Sequence, residues 1–171
     1  MITRILAVIV FFGLTSAAHA FSIVAWSAAG TTCVPDRGTI SKFEAVNPAT
    51  LRHLGAQVGS LLFTCNVERI DSPNQSWSLR ITYRDSTGMG TTASVVAQLY
   101  RIPLQGFSPI LVGTASSDSS GAMGSTTLIS AFSHPFDFEA NAYFVRLTLT
   151  RAASTEIVRL SSVSIEIGSP D

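Results

Sequence analysis

Residues 77–99 read WSLRITYRDSTGMGTTASVVAQL, and their alternation decides the fold class. Trp77, Leu79, Ile81 and Tyr83 interleave with Ser78, Arg80, Thr82 and Arg84. Successive side chains on a strand point to opposite faces, so this segment has one apolar face and one polar, basic face. Residues 85–90 follow, with two glycines able to take positive φ and an aspartate able to cap its own turn. Alternation resumes with Ala93, Val95, Ala97 and Leu99 against Ser94 and Gln98, although Val96 interrupts the polar side. The pattern predicts two strands joined by a tight turn, a hairpin.

Outward from this stretch the same period recurs. At 136–151, Phe136 and Phe138 share one face and Asp137 and Glu139 the other; past a corner at Asn141, Tyr143, Val145, Leu147 and Leu149 alternate with Arg146, Thr148 and Thr150. At 58–67, Leu61, Phe63, Cys65 and Val67 fall together. The last strand breaks phase between Val158/Leu160 and Val163/Ile165/Ile167, which predicts a β-bulge at Ser161-Ser162. Weaker strands are expected at 21–29, 110–115 and 126–132, with a short strand or irregular crossing at 40–46. Residues 50–55, TLRHLG, are the one place where a helical turn fits, and the Ser- and Gly-rich stretch 116–125 reads as a flexible exposed loop. Eight or so short strands separated by turn signals predict an all-β fold, an antiparallel sandwich of jelly-roll or Greek-key type.

The N-terminus has a different character. A short positive start with Arg4, an apolar run over residues 5–14 and a small-residue end at Ala18-His19-Ala20 form the pattern of a secretory signal peptide rather than an uncleaved anchor. The expected organisation is a leader at 1–20 and one domain at 21–171, exported to the periplasm or beyond the cell. The apolar run is shorter than the about 20 residues a span requires, so the mature chain is expected to carry no transmembrane segment. Loss of Arg4 leaves ten basic and eleven acidic residues, a balance with no electrostatic footprint for nucleic acid. Cys33 and Cys65 both remain. In an oxidising compartment an even pair points to a disulfide over buried free thiols or a reactive cysteine, and such a bond would set the end of the first strand against the 58–67 strand.

The leader, the Cys33…Cys65 pair, WSLRITYRDSTG and NAYFVRLTLTR together resemble a group of small exported bacterial β-sandwich proteins that carries no assigned function. That resemblance implies export and a sandwich, and brings no catalytic or binding residues with it.

The residues themselves offer little chemistry. His53 and His134 stand apart in sequence, no G-x-S-x-G turn is present, and zinc spacing is absent, so no catalytic residue, metal ligand or cofactor is expected. Asp137 and Glu139, two apart on a strand, would project from one face and could serve calcium or glycoside chemistry; a solvated face is the plainer expectation. Trp26, Tyr100 and Phe144 fall on the more polar parity of their strands and are candidate aromatic anchors for sugar rings or an interface. Asp85, with the loops 85–90 and 116–125, completes the candidate binding residues. Three classes follow: a non-enzymatic recognition or envelope-associated module for a glycan, surface polymer or protein; a structural or assembly subunit of the envelope; and, with the least support, a polysaccharide hydrolase.

Overall fold

The computed structural model describes residues 23–70, 76–90 and 92–167; the expected leader and the segment 71–75 lie outside the described residues. Within them the strands are β1 (Ile23–Ala29), β2 (Val34–Pro35), β3 (Phe43–Ala45), β4 (Leu51–His53), β5 (Gly59–Asn66), β6 (Ser76–Asp85), β7 (Ala93–Pro103), β8 (Ile110–Ser116), β9 (Gly124–Ser133), β10 (Asn141–Arg151) and β11 (Val158–Ile167). One sheet runs β3-β4-β11-β6-β9, with β1 alongside β11; the other runs β2-β5-β10-β7-β8. From β4 onward each strand crosses to the opposite sheet, the β7–β8 hairpin excepted. The orders β4-β11-β6-β9 and β5-β10-β7-β8 are those of an eight-stranded jelly roll.

The alternating apolar residues face each other across the sandwich. Trp77, Leu79 and Ile81 on β6, Val145, Leu147 and Leu149 on β10, and Val95, Ala97 and Leu99 on β7 are all fully buried. Phe43 meets Phe63 across the two sheets edge to face at 5.1 Å, and Trp77 meets Phe136, on the segment between β9 and β10, edge to face at 4.8 Å. Burying each large side chain of this kind is worth about 1.5–3 kcal/mol. The bulge lies where the phase break places it: β11 slips against β6 between Leu160 and Ser162, keeping both Leu160 and Val163 inward. The disulfide joins Cys33 to Cys65.

Four expectations are corrected. Residues 77–99 are an arch, not a hairpin: β6 pairs with β11 and β9 in one sheet, β7 with β10 and β8 in the other. Alternation fixes which face is buried but not which sheet a strand joins, and an arch lets the two apolar faces cover one another. Residues 51–53 form a strand, with Leu51 and His53 inward and Arg52 outward, where three residues are too few for period 2 to show itself. Residues 136–139 form no strand; Asp137 Oδ1 accepts from the Glu139 and Ala140 N–H groups at 3.0 Å each, closing a turn. Finally, β1 lies against β11, and it is β2 that pairs with β5, so the disulfide ties the segment after β1, not β1 itself, to β5.

Candidate functional site

The outer face of the second sheet carries two parallel rows, set by register. Phe144 on β10 stands opposite Asn66 on β5 and Tyr100 on β7, and Tyr100 opposite Leu111 on β8. One step along, Arg146 stands opposite Thr64 and Gln98, and Gln98 opposite Thr114. Their chain neighbours Cys65, Tyr143, Val145, Ala97 and Leu99 are buried, so all these residues point away from the core. An aromatic and apolar row thus lies beside a polar one.

The two rings are nearly parallel, 12° apart with centroids at 5.3 Å, an offset stack that leaves part of each ring uncovered. The Arg146 guanidinium sits 5.4 Å from the Tyr100 ring centre, a cation–π distance. Tyr100 Oη donates to Gln98 Oε1 at 3.1 Å, which fixes both side chains on the surface. Two of the candidate anchors are therefore brought together on adjacent strands.

Trp26 takes a different place. A bulge between Val24 and Trp26 re-aims the β1 edge, and the indole is half-buried against the core. It lines a cleft of about 510 Å³ whose other wall is Thr64, Asn66 and Arg69. Thr64 and Asn66 also begin the two rows, so this cleft opens onto the edge of the same face. A second hollow of about 390 Å³, lined by Val34, Thr64 and Arg146, joins them.

Asp85 is not at this surface. It is fully buried, with Oδ1 accepting from Thr87 N at 2.8 Å and Thr87 Oγ1 at 3.0 Å, and Oδ2 from Ser117 Oγ at 2.9 Å. Ser117 Oγ in turn accepts from Val95 N at 2.9 Å. The chain thereby pins the end of β6 to β7 and to a short 3-10 turn, Ser117–Ser119, inside the stretch expected to be a flexible exposed loop. The two loops do meet: Gly88 packs against Met123 and Gly121 at one end of the sandwich.

The histidines serve packing. His53 is buried with Nε2 donating to Gly59 O at 2.9 Å, and burial holds its pKa below the usual imidazole value, with the nearby Arg151 charge acting in the same direction against that hydrogen bond. His134 bonds Tyr143 Oη at 3.0 Å and meets Phe136 edge to face; burial and then the Arg101 charge lower its pKa. Among the described residues no three His, Cys, Asp or Glu side chains converge to hold a metal ion.

Arg146, Gln98, Thr64 and Asn66 were not among the residues the sequence singled out. Arg146 and Gln98 each stand two positions from a candidate aromatic, on its face. That spacing was the available signal; the cross-strand partners were not.

The chain is thus a jelly-roll β-sandwich domain with an aromatic and polar strip across one outer face. No family model matches it, and no curated protein matches it in sequence. Among solved structures it is similar to a xylan-binding module, CBM15, at 12% identity and TM-score 0.46, over 90% of this chain and 100% of that one. It is also similar to CBM29_1, a family 29 carbohydrate binding module from Piromyces equi, at 12% identity and TM-score 0.31, over 88% and 92% of the two chains. The metal-free carbohydrate recognition domain of Emp46p aligns at 11% identity and TM-score 0.37, over 74% of this chain and 88% of that one.

Proposed function

We propose that this protein is an exported, non-catalytic glycan-recognition module that binds along the outer face of β5-β10-β7-β8. The observation that carries the proposal is the stacked, partly exposed Tyr100–Phe144 pair with a row of hydrogen-bonding side chains beside it. A sugar ring has an apolar C–H face and a rim of hydroxyls. The aromatic row suits the first, and Asn66, Thr64, Gln98 and Arg146 suit the second. Strands lie about 4.8 Å apart, so from β5 to β8 the strip spans about 14 Å, enough for an extended chain rather than a single sugar. The Cys33–Cys65 disulfide fits an oxidising compartment.

The test is a neutral-glycan array on the purified protein, followed by titration with any sugar retained. Tyr100→Ala and Phe144→Ala should each weaken binding at least tenfold while leaving the melting temperature within a few degrees. Trp26→Ala should shorten the footprint, affecting long oligosaccharides more than short ones. Equal binding by the ring variants would remove this face from consideration. Release of reducing ends from a polysaccharide, lost in Asp137→Asn, would replace the module with a hydrolase.

A further inference from the structure

On the opposite face of the sandwich the register sets three arginines side by side. Arg159 on β11 is directly opposite Arg52 on β4 and Arg84 on β6. Their neighbours Leu51, His53, Leu160, Tyr83 and Asp85 are buried, so all three side chains leave the outer surface. With strands about 4.8 Å apart, three guanidinium groups are rooted within about 10 Å. Like charges directly opposite on a sheet oppose folding.

The protein answers only part of this charge. Glu44 takes Arg52 through Nε at 2.5 Å. Arg159 Nε is buried with no hydrogen-bond partner among the described residues, and Arg84 has no carboxylate within ion-pair distance among them. Beside the row is a cleft of about 200 Å³ lined by Glu44, Arg52, His53, Arg151, Glu156 and Arg159. The Arg151 fork is used by the Gly55 and Gln57 carbonyls, and the Glu156 carboxylate by the Ala152 and Ala153 N–H groups at 2.9 Å. Glu156 makes no ion pair with Arg159 or Arg84 among the described residues.

We propose that this row is a second binding site, for oxyanion groups (carboxylate or sulfate) carried on a polysaccharide. Guanidinium forks match the two or three oxygens of such groups better than ammonium groups do. The row is linear and open, which suits anions repeated along a polymer better than one enclosed ion. It is independent of the neutral-sugar strip, which lies on the other sheet.

The test is retention of the purified protein on polygalacturonate and dextran sulfate gels, with inorganic sulfate and anionic phospholipid vesicles as separate arms. The protein should be retained on one of the two polymers and released by salt. Arg84→Gln with Arg159→Gln should weaken retention at least tenfold, and the double Lys variant should fall between. Tyr100→Ala should be retained as the parent is, so failure here and failure of the aromatic strip are told apart. Relief of like-charge contact should leave the Gln variant melting at or above the parent; if it fails to fold, Arg84→Gln alone and the Lys variant decide. Equal retention of parent and variants, retention on neither polymer, binding to vesicles only, or an inorganic sulfate affinity matching that of the polymers would each overturn the proposal.

Discussion

At the end of β6 the Asp85 carboxylate is sealed from solvent and accepts three hydrogen bonds, two from Thr87 and one from Ser117. A buried carboxylate of this kind acts through bonds to a charged group, worth about 1.5–3 kcal/mol each. Asp85→Ala should therefore lower stability by about 3 kcal/mol or more in urea denaturation. A variant that lost ligand with unchanged stability would return Asp85 to the surface. Leu147→Ala should cost about 2–5 kcal/mol, as a fully buried leucine. Its outward neighbour Thr148→Ala should stay within about 0.5 kcal/mol. The parity of these residues was legible from the sequence because period 2 is local. That Phe144 faces Tyr100 was not, because register joins residues 44 positions apart through a pairing that no local pattern specifies.

At the level of elements, what the chain announced was its strands and their buried faces, down to the slip in β11. It did not announce which sheet each strand would join. Short β4 and the Asp137 turn escaped for a related reason, since three or four residues fit several periods equally well. Two elements carry measurable consequences. The Cys33–Cys65 bond closes a loop of 32 residues, and its reduction should lower stability by roughly 3–4 kcal/mol on the chain-entropy account. Alkylation without reductant should label neither cysteine. The ends of β4 and β9 carry His53 and lead to His134, both with folded pKa values below the ordinary imidazole value. The unfolded chain therefore takes up protons first as pH drops below about 6.5. Stability should be full above that pH, fall as it is passed, and level off below the folded pKa values. A melting series from pH 8 to pH 5 checks this, and His53→Asn should flatten the slope. A slope of opposite sign would mean that the imidazoles gain a partner on folding.

At the level of the whole molecule, the sandwich separates two chemistries by the thickness of its core. One outer face carries rings and a hydrogen-bonding row with the single guanidinium of Arg146, the other a file of three guanidinium groups, and neither shares a strand with the other. A single polymer with both neutral and acidic stretches would have to wrap an edge to meet both, whereas two chains could be bridged by one copy. If both proposed sites bind, mixing the protein with a neutral glycan retained on the array and polygalacturonate together should raise scattering above either mixture alone, and Tyr100→Ala or the Arg84/Arg159 Gln variant should each abolish that rise.

One feature of the strand order bears on how such a molecule comes into being. β11 is interior to its sheet, flanked by β6 on one side and by β1 and β4 on the other, yet it follows all of them along the chain. Until residues 158–167 have been synthesised, that sheet lacks its middle, and β1, β4 and β6 have nothing to hold them side by side. The β2-β5-β10-β7-β8 sheet is complete by Arg151, but without β11 its apolar face lacks a whole opposing sheet to cover it, so the sandwich closes late. A chain ending at Arg151 should give the circular dichroism of an unfolded protein. If the chain is exported as proposed above, delayed closure of this kind keeps it in a form that a narrow pore can accept.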